Sequence, residues 1–320
     1  MLLSLYRSLM THHWGYVGVA TAAMLFGISA TLNKIVLSDV HPLIVAGLIY
    51  LMAGVTLFAV RYSPLNKKIL LLLKTPTKTE KNFSKKDYRI LMFVIISGAL
   101  IAPFLFMYGL NETTAVNTSL LLNTESLFTV LIALVFLGER VMKKDYVGII
   151  LIIIGAVFVT TSGEFQKMEL TKGVFGSMLV VTACLFWGID NNMSKFLSRK
   201  QDLILVTALK CFIGGSILLV ISLLMGITFN IPLIAFPYLF TVGAFSIGFS
   251  ILLFLFALRE IGAMKTGVIF STSSLIGALF AFVILNESFT VVQMLAGVVM
   301  LCGIYLLYRK PLFTRRMITS

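Results

Sequence analysis

Five ionisable side chains stand inside long apolar runs of this sequence: Lys34, Glu125, Asp190, Lys195 and Lys210. An unpaired charge at the centre of a membrane helix costs roughly 2.5–3.5 kcal/mol on insertion scales, so each needs a partner or a wet cavity. Glu125 is the sharpest case. It lies within TSLLLNTESLFTVLIALVFLGE (118–139), 13 residues after Glu112 and 14 before Glu139. Helical rise puts those flanking acids roughly 20 Å away on either side, so Glu125 falls near the middle of a crossing segment. Thr118, Leu121, Leu122 and Thr129 share its helical face. A carboxyl in that setting suits binding a proton in one state and an ammonium group in another. The plainer alternative is a protonated Glu that hydrogen-bonds a neighbouring helix.

Asp190 ends one apolar run and Lys210 begins the next, both about 10 Å deep from the same side. They suit an ion pair or shared polar site, although separate hydrogen bonds, or a snorkelling Lys210, would also satisfy them. Lys34 and Lys195 close two similar strings, either snorkelling to the interface or acting as gates. Around Asp190, the residues Cys184, Trp187, Asn191 and Lys195 recur at i, i+3, i+7 and i+11, one helical stripe bordered by Asp190 and Asn192. Trp187 reads as a packing or cavity-wall residue. Ser271, Thr272, Ser273 and Ser274 add hydroxyls that serve helix packing or touch a substrate. The candidate binding set is therefore Glu125, Asp190, Asn191, Asn192, Lys210, Trp187, Lys34, Lys195, Ser271, Ser274 and Thr118.

The same inventory argues against several chemistries. His12, His13 and His41 lie at or before span ends without partners at metal spacing, so no metal site is expected. Cys184, Cys211 and Cys302 fall inside apolar runs with no C-x-x-C, so neither a disulfide framework nor zinc is expected. Neither G-x-S-x-G nor H-E-x-x-H occurs, which weighs against an intramembrane enzyme, and no cofactor is expected. No filter-like repeat of polar groups suggests a channel.

The elements that must position these side chains follow from composition. Of 320 residues, 59% are hydrophobic and 12% charged; soluble domains carry about 25% charged residues. Apolar runs near 20 residues long recur throughout, each sufficient to span a bilayer as a helix. Spans are expected at 15–36, 43–60, 90–110, 115–137, 145–162, 173–195, 203–225, 236–257, 263–285 and 290–308. The first is read as an uncleaved anchor. The net charge of +13 reflects orientation rather than nucleic-acid binding. With both termini inside, the outer loops hold only Lys167 and Lys172, while the 61–89 loop alone carries nine basic residues. That loop reads as an anchor on anionic headgroups, or as a lipid-binding regulatory patch.

The chain also repeats itself. LFGISATLNK (25–34) matches FWGIDNNMSK (186–195) at an offset of 161, and 118–139 matches TGVIFSTSSLIGALFAFVILNE (266–287) at 148. Five crossings per half force the second half to run opposite to the first, the inverted repeat of secondary transporters. The expected fold is thus an all-α membrane protein: ten transmembrane helices as two inverted five-helix repeats, 1–162 and 163–320. In the first half, the positions aligned with Asp190 and Lys210 are Ser29 and Ile49, so both charges are missing together. Glu125 aligns with neutral Ser273.

These features resemble the drug/metabolite transporter superfamily, EamA-like branch. The carriers are L-F-G…K in span 1, W-G…K in span 6, an acid in mid-span 4, F-L-G-E closing it and L-N-E closing span 9. Ser126 stands where the family commonly has proline after the acid, and Asn286 replaces the second glycine. The resemblance implies export or exchange of a small polar metabolite, such as an amino acid, through a cavity between the halves. Protons are the candidate coupling ion. It also implies an integral protein of the plasma (inner) membrane with cytoplasmic termini, monomeric or homodimeric. The runner-up is a sugar-phosphate or nucleotide-sugar exchanger, against which the acids at 125 and 190 argue.

Overall fold

The computed structural model describes residues 2–64, 84–137, 143–161, 172–198 and 202–308. Every regular element among them is helical. Glu139 and most of the basic 61–89 loop lie outside the described residues. Eight helices are long and apolar enough to cross a membrane, and Asp145–Thr161 and Val291–Leu307 are shorter apolar helices at the expected fifth and tenth spans. Their outward faces carry exposed Ile150, Ile153, Ile154, Leu295 and Val298. Such surfaces would be costly in water and are at home in lipid.

In chain order, α1 (Leu2–Gly27) runs into α2 (Ser29–Val36), and α3 is Pro42–Tyr62. Next come α4 (Lys85–Val94), a π-helical stretch at Ile95–Ile101, and α5 (Ala102–Glu112). Then α6 (Ala115–Leu121), α7 (Thr124–Leu137), α8 (Lys143–Thr161), α9 (Lys172–Ser198) and α10 (Leu203–Leu224) follow. The last third holds α11 (Ala235–Phe240), a second π-helical stretch at Thr241–Phe249, and α12 (Ser250–Ile261). It closes with α13 (Ala263–Ser271), α14 (Ser273–Leu285) and α15 (Val291–Tyr308).

Local chemistry explains the boundaries. His41 caps α3, its Nδ1 accepting from Leu43 N at 3.3 Å, and Pro42 occupies the first turn where its missing N–H is harmless. Ser84 and Asp87 form a reciprocal capping box on α4. Thr290 and Gln293 do the same for α15. Asp202 caps α10 through Ile204 N at 3.0 Å, and its other oxygen accepts from Arg61 Nε at 2.5 Å. That pair pins the end of α3 to the start of α10.

The interruptions inside spans were not foreseen. Between α6 and α7, Thr124 Oγ1 donates to the Leu121 carbonyl at 2.7 Å; between α13 and α14, Thr272 Oγ1 donates to the Ile269 carbonyl at 2.6 Å. Such back-bonding hydroxyls satisfy a carbonyl released at a break, which hydrocarbon could not do. Span 4 therefore breaks without the proline that Ser126 replaces.

Packing is dominated by helix pairs that join the two halves. Along α3 and α10, Gly54 approaches so closely that a built Cβ would lie 2.6 Å from Phe212 N, and Gly215 would meet Leu51 N at 2.4 Å. Small residues of this kind let membrane helices gain van der Waals contact where no hydrophobic drive exists. The pair α8 and α15 is joined similarly through Gly148 and Gly303. By contrast, α6 packs on α14, whereas α7 packs on α9, and no comparable packing joins α7 to α13 among the described residues.

Candidate functional site

The site is built on α9, which carries the Trp187, Asp190, Asn191 and Asn192 stripe past α3, α5, α7, α10 and the first π-helical stretch. Lys210 on α10 donates to Asp190 Oδ2 at 2.5 Å, the ion pair that the spacing allowed. Asp190 Oδ1 also accepts from Ser194 Oγ at 2.9 Å. The carboxylate is only 4% exposed, so this pair is a neutralised, buried contact rather than two free charges. It sits against Gly98 in the first π-helical stretch, where any Cβ would collide with the Asp190 carboxylate. The Gly98 carbonyl in turn accepts from Trp187 Nε1 at 3.2 Å, and the same N–H reaches Tyr50 Oη at 3.2 Å. Trp187 also packs its ring against Phe106. Trp187 thus fastens α9 to α3 and to the π stretch.

Glu125 begins α7, immediately beyond the break. Its Oε1 accepts from Asn191 Nδ2 at 2.7 Å, and Asn191 Nδ2 also reaches Thr129 Oγ1 at 3.3 Å. Asn192 donates to the Thr129 and Gly188 carbonyls at 2.9 Å each. Two adjacent asparagines therefore clamp α9 to α7, one through backbone and one through the acid. Asn191 is exposed and Glu125 half-buried, whereas Asp190, Asn192 and Tyr50 are buried. The reachable chemistry at this point is one carboxyl, one amide and one hydroxyl. Such a group can exchange a proton or hold an ammonium.

The remaining candidates separate from this cluster. Lys34 donates to three carbonyls, Leu110 at 2.7 Å, Asn111 at 3.0 Å and Thr113 at 2.7 Å, at the C-terminal end of α5. A cation there satisfies orphan carbonyls and meets the negative end of the helix dipole. Ser274 Oγ accepts from Asn123 Nδ2 at 2.7 Å and donates to Ser271 O at 2.9 Å. Ser271 Oγ donates to Gly267 O, within its own helix. Thr118 is fully buried, and its hydroxyl has no hydrogen-bond partner. Lys195 lies on α9, but its side chain is outside the described residues.

Sequence reasoning missed Tyr50 and Gly98 as neighbours of Trp187, since a tyrosine in an apolar run carries no partner label. It also quoted Glu287 only as a motif letter. In the structure Glu287 accepts from Ala115 N and Val116 N, both at 2.9 Å, at the start of α6. Gln293 Nε2 donates to Asn117 Oδ1 at 2.7 Å beside it. The preceding residue, Asn286, adopts left-handed geometry with φ 54°.

The profile of the EamA-like transporter family matches residues 13–161 and again 174–309. The chain belongs to the EamA-like transporter family. A protein of Methanothermobacter thermautotrophicus called an uncharacterized transporter is 45% identical over 295 residues, 92% of this chain and 86% of its own. The uncharacterized transporter YoaV of Bacillus subtilis is 24% identical over 298 residues, covering 91% and 95%. A solved crystal structure shares the fold, with TM-score 0.61 at 13% identity over 90% of this chain and 94% of that one. The EamA-like assignment and the apolar helices together make this a membrane protein with a general transporter role.

Proposed function

We propose that this EamA-like protein is a secondary active transporter of a small polar metabolite such as an amino acid, an exporter or exchanger working by alternating access. Glu125 binds the proton or the substrate ammonium, with Asn191 and Thr129 beside it. Asp190 and Lys210 hold α9 against α10 as a neutral pair. The observation that carries this reading is the Asn191–Glu125 hydrogen bond, which leaves a partly exposed carboxyl at a helix break in an otherwise apolar bundle. Helix breaks and convergent helix ends at mid-depth are the usual construction of transporter binding sites.

The inverted-repeat reading of ten spans draws support from the internal pairing; the basic 61–89 loop supports cytoplasmic termini, and the plasma membrane is the proposed location. The breaks at Thr124 and Thr272 and the π-helical stretches at Ile95–Ile101 and Thr241–Phe249 fall at matching positions of the two halves. Helix α1 packs with α12 as α9 packs with α5. A phosphate-ester exchanger is the weaker reading, because Lys34 and Lys210 are already bound, to carbonyls and to Asp190.

The test is uptake into proteoliposomes with and without a pH gradient, after a thermal-shift screen of amino acids, purines and phosphate esters at two pH values. Ligand binding raises stability only by preferring the folded state. Glu125→Gln should insert and fold yet lose the pH dependence of transport. Transport by Glu125→Gln that still follows the gradient would remove Glu125 from the mechanism.

A further inference from the structure

Four buried polar atoms near one end of the bundle have no hydrogen-bond partner: Thr31 Oγ1, Asn33 Oδ1, Thr118 Oγ1 and Ser119 Oγ. Their residues are 0%, 2%, 0% and 1% exposed. Leaving a buried polar atom unsatisfied costs about 1–3 kcal/mol, and native chains keep few of them. Thr31 and Asn33 belong to α2, Thr118 and Ser119 to α6. These two helices touch each other and both pack on α14. Ser119 lies against Gly277 of α14, where a Cβ would sit 2.7 Å from its Oγ, and Gly277 also abuts the Gly27 carbonyl. The remaining two orphaned hydroxyls, Ser246 and Thr266, lie elsewhere.

Across this buried polar seam stand Lys34 and Glu287. Lys34, from the first half of the chain, holds the C-terminal end of α5; Glu287, from the second half, holds the first two N–H groups of α6. Both grip the short 112–115 turn between them. Among the described residues neither side chain makes a direct ion pair, although Glu287 and Glu112 both lie near enough to attract Lys34. Each can let go and be hydrated, as can the helix ends it leaves.

We infer that Lys34 and Glu287 form a gate across a polar passage, and that Thr31, Thr118 and Ser119 line that passage once the gate opens. The inference rests on the alternating-access reading, in which this end must open in the other state. It accounts for hydroxyls where alanine or valine would close the seam at lower cost: they are partnered in the open state, by water and by the substrate. The lining is uncharged, so it offers hydrogen bonds to any small polar molecule and leaves charge selection to Glu125.

The experiment is labelling of Ser119→Cys and Thr118→Cys by a membrane-impermeant maleimide added from the side on which Lys34 lies. The exposed native Cys302 is replaced by serine, and the chain without an introduced cysteine gives the background. Leu120→Cys is the control, because Leu120 faces Gly297 of α15 rather than the seam. Adding Glu287→Gln should speed labelling at 119 and 118 roughly tenfold, the scale of a lost helix-terminus charge contact in a partly buried setting, and leave 120 unchanged. Lys34→Gln is a second, independent arm should Glu287→Gln fail to insert. Unchanged rates at 119 and 118 in folded gate variants overturn the inference, and so does an equal rise at 120. Labelling requires no substrate, so it stands or falls separately from the transport assay.

Discussion

The Asp190–Lys210 pair shows what a buried charge demands of its neighbours. Removing one partner strands the other, which typically costs about 3–5 kcal/mol, while removing both can be nearly neutral. Asp190→Asn or Lys210→Met alone should therefore lower the thermal unfolding midpoint in detergent, and the double variant should recover most of the loss. A double variant as unstable as the worse single one would mean that Asp190 acts through Ser194 and Gly98 instead. The pair was legible in the sequence because both charges are missing from the aligned first-half positions, Ser29 and Ile49. The Asn191–Glu125 bond was half legible: the stripe on α9 put Asn191 among the candidates, but nothing in the sequence sets the rotation of α9 against α7. Lys34 was legible as an oddity and not as a helix cap, since its three acceptors are backbone carbonyls 76 to 79 residues away.

At the scale of elements, hydropathy located the spans and said nothing of their breaks. A window average is blind to one hydroxyl turning back on its own helix, and the expected proline is absent. Thr124 and Thr272 perform equivalent bonds in the two halves. Thr124→Val should cost about 1 kcal/mol of stability, the usual net worth of such a hydrogen bond, and should also change transport because Glu125 is the next residue. Thr272→Val should show a similar stability loss with a smaller effect on pH dependence, since no acid follows it. Identical transport defects in both would argue that the breaks matter only as hinges. Gly98→Ala is a sharper intervention in the π stretch: its methyl displaces Asp190, so Lys210 loses its partner and unfolding should come at lower temperature.

Over the whole molecule, the α3–α10 and α8–α15 contacts join the halves along small residues, while among the described residues α6 packs on α14 and α7 has no comparable contact with α13. Gly54→Val should overpack the first contact and destabilise the protein by about 1–3 kcal/mol, read as loss of monodisperse protein on heating. A disulfide between Ser119→Cys and Gly277→Cys should stop transport until it is reduced, and should also lower stability, because a Cβ at 277 crowds the Gly27 carbonyl at 2.7 Å. Continued transport by the oxidised protein would show that this seam stays shut throughout the cycle. The internal match at offsets of 161 and 148 was readable in the sequence. Which of the two matching seams packs was not, because hydropathy and motif order are alike in both and a sequence carries no conformational state.

Asn286 gives the family motif a physical spelling rule. Its left-handed backbone turns the chain so that the next residue, Glu287, points at the start of α6. Only glycine, and asparagine or aspartate at modest cost, adopt that conformation readily. The replacement of glycine by asparagine in L-N-E is therefore a synonym and not a departure. A β-branched residue at 286 would leave every charged residue in the sequence and still misaim Glu287, making Asn286→Val a charge-neutral way to open the gate from a position outside α5 and α6.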